Sequence, residues 1–182
     1  MLITCAALAM QPAAGQSSPA KSAAPAKGPV QRGQYLATFG GCGDCHTPKN
    51  MTDHGPAPDA SRLLSGHRAD DPAAAVPSGV LGPGQWGALA SADLTAWAGP
   101  WGISFAANLT PDNETGIGRW TAEQFIKTMR TGKHFGDGRA ILPPMPWFDV
   151  AVLTDQDMKD LFAYLKSLKP VVNKVPQPVP PK

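Results

Sequence analysis

Two cysteines three residues apart, followed at once by a histidine, constrain this chain more than any other feature: Cys42-Gly43-Asp44-Cys45-His46. Residues three apart lie on one side of a helical turn, so both thiols point the same way and the imidazole sits beside them. The 182 residues hold three Cys and four His, which makes a chance occurrence of this pentapeptide rare. A structural zinc site needs four ligands, and no Cys follows Cys45. A thioredoxin-like pair follows a parallel strand and opens a helix, and nothing over residues 31–60 reads as such a unit. A plain disulfide would leave His46 incidental. The spacing suits a covalent c-type haem: Cys42 and Cys45 reach the two vinyl groups on one porphyrin edge, and His46 is the proximal iron ligand. There is one such motif, so one haem is expected.

The flanking segments read as helices. Residues 31–39 carry Tyr35, Leu36 and Phe39 at amphipathic spacing, Gly40-Gly41 ends the run, and Gly33 leaves room for another helix to cross. Over residues 121–130, Thr121 is the N-cap, Gln124 its capping-box partner, and Trp120 can staple onto Phe125. The same grammar recurs with Thr154 as cap and Asp157 three residues later. Met158, Leu161, Phe162, Leu165 and Leu168 then form an apolar stripe, with acids at the start and Lys166 and Lys169 at the end.

An iron held by His46 needs a second axial partner or an open face. Met1 and Met10 fall in the N-terminal segment, Met129 and Met158 occupy apolar helix positions, and Met51 lies only five residues past His46. Met145 differs: Pro143-Pro144-Met145-Pro146 fixes φ on both sides of it, so a rigid extended loop can present its sulfur. His54, His67 and His134 are the rival ligands. A haem enzyme or gas-binding sensor with an open distal side is the alternative, and it would place His134 or Arg139 over the vacant face.

Charge narrows the partners. Between residues 31 and 169, twelve Lys/Arg meet fourteen Asp/Glu, a net of −2, while the tails carry Lys21, Lys27, Lys174 and Lys182 with no acid. A nucleic-acid binder concentrates positive charge on its folded body, so no nucleic acid is expected. Residues 1–14 resemble the end of a secretory h-region followed by small residues, without a charged n-region. The main expectation is therefore a clipped, cleaved signal and a periplasmic or exported protein. A lipidated Cys5, giving membrane-surface association, and an unprocessed tail are the other readings. Residues 17–29 lack the apolar side chains to offset ordering. Residues 171–182 alternate Val and Pro and should be an extended, frayed end, with a docking role as the alternative.

The Gly-x-Tyr-Leu-Ala run leading to Cys42, the Pro143–Trp147 run and the 161–171 helix together resemble class I c-type cytochromes. Asn108-Leu109-Thr110-Pro111-Asp112 with Thr115-Gly116-Ile117-Gly118-Arg119-Trp120 is similar, more narrowly, to monohaem cytochrome domains associated with bacterial periplasmic dehydrogenases. The resemblance spans about residues 31–172. It implies an all-α cytochrome c fold with crossed N- and C-terminal helices around one haem, thioethers at Cys42 and Cys45, and His46 and Met145 as axial ligands. It further implies that residues 108–120 border the haem. The expected organisation is a signal remnant or anchor plus linker over 1–30, a cytochrome domain over 31–170 and a Pro-rich tail over 171–182. Within the domain, a Gly/Pro/Ala-rich insertion at about 53–105 is expected as an ordered excursion with short helical turns, a β-hairpin inside it being the alternative, and acts as a haem cover or a docking surface. The implied role is an electron carrier, or an electron-transfer subunit of an oxidoreductase, rather than an enzyme in itself. Its partners would be a periplasmic or membrane-bound dehydrogenase and a respiratory acceptor.

Overall fold

In the computed structural model, residues 28–72 and 75–181 are described, so the expectations for residues 1–27 lie outside the described part. The first helix, α1 (Pro29–Phe39), begins with Pro at its first position, where the missing N–H costs nothing, and closes with the Gly40 N–H donating to Leu36 O at 2.8 Å. Gly41 follows in the left-handed region at φ 65° and turns the chain into the short α2 (Cys42–His46). Two longer helices lie far downstream. On α3 (Ala122–Thr131) the capping box is complete: Gln124 N–H donates to Thr121 Oγ1 and Thr121 N–H to Gln124 Oε1. On α5 (Asp155–Ser167), Thr154 Oγ1 accepts from Asp157 N–H. Between them, α4 (Trp147–Val150) is a single turn.

The helix crossing is built on Gly33. A Cβ there would overlap the Asp160 carbonyl and crowd Tyr164 on α5, so only a residue without a side chain lets the two backbones meet. Arg32 Nε donates to Asp157 Oδ1 at 2.8 Å beside the crossing. Ala37, Phe125, Met129, Met158, Leu161, Phe162 and Leu165 converge with Leu64 and Ile117 into one apolar core, in which Phe125 and Phe162 lie 5.4 Å apart. Trp120 packs against the edge of this core, and its ring also lies on Phe135 at 4.5 Å.

The all-α expectation does not hold, because among the described residues two small sheets accompany the five α-helices. β1 (Lys49–Thr52) and β2 (Gly55–Pro58) form a hairpin whose tight turn uses Gly55 at φ 98°. β3 (Leu89–Ala90), β4 (Ala96–Gly99) and β5 (Gly102–Phe105) form an antiparallel sheet, with Gly102 at φ 92° between the last two strands. These strands are two to four residues long, and three of them contain Gly, β2 with two Pro as well. Neither alternation nor β-propensity could mark them, and backbone pairing alone makes them strands.

The C-terminal tail is not a frayed end. Asn173 takes the Ala69 N–H on Oδ1 and donates Nδ2 to both Ser65 O and His67 O, while Val179 exchanges two backbone hydrogen bonds with Ile103. Asn108 Nδ2 donates to Val171 O at 2.8 Å. Residues 171–179 therefore form an extended strap over the inserted segment. Among the described residues, no helix is long and apolar enough to cross a membrane.

Candidate functional site

The attachment motif occupies α2 from end to end, and Cys42 and Cys45 are both free thiols. Burial pushes both thiols up, with Asp44 adding to the effect and Lys49 opposing it at Cys45, so both are neutral at pH 7. Lys49 Nζ, just past α2, donates to the carbonyls of Asp44 and Asp93 and so ties the helix end to the inserted segment. Thr47 is buried, and its Oγ1 accepts from Leu64 N–H.

His46 is only 9% exposed, and its Nδ1 lies 2.8 Å from Ala107 O. A carbonyl can only accept, so Nδ1 carries the proton, and the Nε2 lone pair is left for a metal. Burial pushes the imidazole below its ordinary value, against a smaller opposing effect from the Ala107 hydrogen bond. The ring is therefore neutral, the form that ligates.

Met145 is half-buried at the rim of the apolar core, which Cys42 also borders. The proline-rich segment is a turn leading into α4 rather than an extended loop, because Trp147 N–H bends back to Met145 O at 2.9 Å. It is tied to the body at both sides: Ile141 N–H donates to Gly132 O at the end of α3, and Ser104 Oγ on β5 donates to Pro143 O. The Gly132 backbone lies close against the Trp147 ring, where any side chain would collide.

The rival ligands are committed or displaced. His67 is buried with Nδ1 2.7 Å from Thr95 Oγ1 and Nε2 2.9 Å from Asp71 O, so both nitrogens are engaged. The same engagement keeps the His67, Asp71 and Asp93 cluster from offering the imidazole to a metal. His54 and Met51 are exposed on the β1–β2 hairpin, while Met129 and Met158 are core residues. His134 pairs with Arg139 at 3.1 Å and packs edge-on against Trp120. Residues 108–120 are knit by their own polar side chains and by the strap: Asn108 Oδ1 accepts from the Thr110 N–H and hydroxyl, and Thr115 Oγ1 from Asn173 N–H.

Two donors stand apart. Arg62 Nε and Ser65 Oγ are buried without a hydrogen-bond partner among the described residues. Both belong to the turn whose Leu64 and Gly66 N–H groups bond to Thr47 Oγ1 and His46 O. Buried donors are rarely left unsatisfied. A cation and a hydroxyl beside the ligand segment fit the carboxylates of a haem's propionates. A neutral imidazole nitrogen and two free thiols on one helix fit the attachment and ligation of haem c, with Met145, Arg62 and Ser65 as candidates for its other contacts. Sequence reasoning missed Arg62, Ser65, Ser104 and the Ala107 carbonyl. None lies in a motif, and a backbone carbonyl has no residue signature.

A family model described as cytochrome c matches residues 30–169. One of the subunits of the nicotinate dehydrogenase of Pseudomonas putida is 32% identical over 147 residues, covering 81% of this chain and 9% of its own length. The fructose dehydrogenase cytochrome subunit of Gluconobacter japonicus is 31% identical over 143 residues, covering 78% and 22%. The gluconate 2-dehydrogenase cytochrome c subunit of Pantoea cypripedii is 32% identical over 135 residues, covering 74% and 22%. The chain thus spans less than a quarter of the length of these relatives.

Proposed function

Because the chain belongs to the cytochrome c family and electron transfer through a c-type haem is that family's function, we propose that it holds one haem. Thioethers at Cys42 and Cys45 attach it, and His46 and Met145 are the axial ligands. The observation that carries this reading is the His46 geometry: Nδ1 is committed to Ala107 O, and a neutral Nε2 is left on a helix that also presents two free thiols. When bound, the haem supplies one-electron chemistry; the protein supplies ligation, orientation and exclusion of water.

Each of those contributions belongs to named residues. Ala107 fixes the His46 ring and its tautomer. The apolar core keeps water from one side of the attachment helix, and the Pro143–Trp147 turn holds a soft sulfur that favours the reduced state. Arg62 and Ser65 hold the propionate carboxylates and lower the cost of their charge in a partly buried setting. Residues 31–170, with the inserted segment at about 53–105, make up the cytochrome unit, and the strap at 171–179 completes it.

The chain relays electrons from a dehydrogenase to a respiratory acceptor, in the periplasm or at its membrane surface. The support is the company its relatives keep: their names identify dehydrogenase subunits, two of them cytochrome subunits. Weak, small contacts suffice for such traffic.

Expression with haem-maturation machinery tests the assignment. Intact mass should show one covalent haem, and ferric protein should show a methionine-to-iron charge-transfer band that Met145→Ala abolishes. A band that survives in that variant refutes the Met145 ligand, and protein without covalent haem refutes the whole reading.

A further inference from the structure

β5 and the residues just after it bond to His46 and to the turn that carries Met145. Ser104 Oγ lies 2.5 Å from Pro143 O, two residues before Met145, and Ala107 O lies 2.8 Å from His46 Nδ1. A hydroxyl has one proton to give. Pro143 O takes it, because Trp97 O is at 3.5 Å, the outer limit of a hydrogen bond, and Trp101 Nε1 at 3.2 Å is itself a donor. Ser104 is 8% exposed, so water offers little substitute for that bond.

The other side of this bond explains why it matters. Pro143, Pro144 and Pro146 have no N–H, so the turn can be held from outside mainly through its carbonyls. Besides the local bonds that α4 donates to Met145 O and Pro146 O, Ser104 makes the hydrogen bond that, among the described residues, reaches residues 142–146 from a distant element. Its own position is fixed independently. β5 pairs with β4 on one side and with Val179 of the strap on the other. Just beyond β5, Gly66 lies so close to the Ala106 and Ala107 backbone that no side chain fits.

We infer that Ser104 is a positioning residue for the Met145 thioether, and that the inserted sheet is a clasp indexing both axial ligands from β5 and the residues just past it rather than a cover. The inference rests on Met145 being the axial ligand. With the hydroxyl in place, the Pro143 carbonyl is held and the sulfur stays at the iron. Without it, the turn gains freedom, and an exogenous ligand competes more successfully.

The test uses matured full-length protein carrying Ser104→Ala, Ser104→Thr or Trp101→Phe, titrated in the ferric state with imidazole while the methionine charge-transfer band is followed. A net hydrogen bond corresponds to roughly a five- to tenfold change in an equilibrium. Ser104→Ala should therefore bind imidazole about five- to tenfold more tightly and weaken the band, with Ser104→Thr close to wild type. Trp101→Phe removes the other partner of the same hydroxyl and should leave both readouts unchanged. If Ser104→Ala matures poorly, Ser104→Cys, a weak donor of similar size, replaces it with the same expected direction. Wild-type imidazole affinity and band in Ser104→Ala overturn the inference. So does an equal change in Trp101→Phe, which would mark general damage to the sheet. Loss of the Met145 assignment would appear separately, as a band retained in Met145→Ala.

Discussion

Replacing Asn173 by Ala should cost this protein far more than a change in a proline-rich tail normally would. Asn173 is 3% exposed and bonded through every polar atom of its amide. Truncation leaves the Ser65 and His67 carbonyls without their donor, and both residues are buried. The third orphan, the Ala69 N–H, belongs to an exposed residue that water can serve. Each buried polar group left unsatisfied costs about 1–3 kcal/mol, so two give about 3 kcal/mol. For a chain of this size that is roughly a 6–12 °C fall in Tm. Guanidinium unfolding of haem-loaded protein, followed by far-UV circular dichroism, measures it; the midpoint should fall with the slope unchanged. Deleting residues 171–182 should destabilise at least as much. If both variants stay within about 0.5 kcal/mol of wild type, a range typical of neutral surface changes, the strap contributes nothing and the accounting is wrong.

Two further outcomes follow from other sites. Burial would raise the Asp93 carboxyl, but the hydroxyls and N–H it accepts from Ser91 and Thr95 outweigh that and hold it below the ordinary carboxylate value. A depressed folded-state pKa stabilises above the unfolded value of 3.8 and is lost as pH falls through the folded one. Asp93→Asn should therefore unfold more easily at pH 6 and lose part of the acid dependence below about pH 4, as acid titrations by circular dichroism would show. An unaltered acid limb would contradict this. Arg62→Gln should lower the midpoint potential in a redox titration, because a nearby cation favours the reduced iron. An unchanged potential would mean that the guanidinium serves something other than the haem.

How much the sequence discloses depends on the range over which each structural decision is made. Thr121 with Gln124 and Thr154 with Asp157 are decided within four residues, so the caps of α3 and α5 could be read directly. The Cys42–His46 spacing is equally local. Gly33 needed only the idea that a helix crosses there. Ser104, Ala107 and Asn173 act over 39 to 108 positions of chain, through backbone carbonyls that any residue supplies. No periodicity or motif marks such partners. The strands fail for a related reason: Ala96, Ala98 and Gly99 are small enough to bury in any fold, and only the register against β5 makes them a strand.

Order of synthesis gives the strap a temporal meaning. A ribosome delivers the two cysteines long before Asn173 and Val179, so while those thiols first emerge, the inserted segment has no fastening at its far edge. Any group joined to Cys42 in that interval meets an unlatched chain, and Asn173 and Val179 bolt the assembly shut only later.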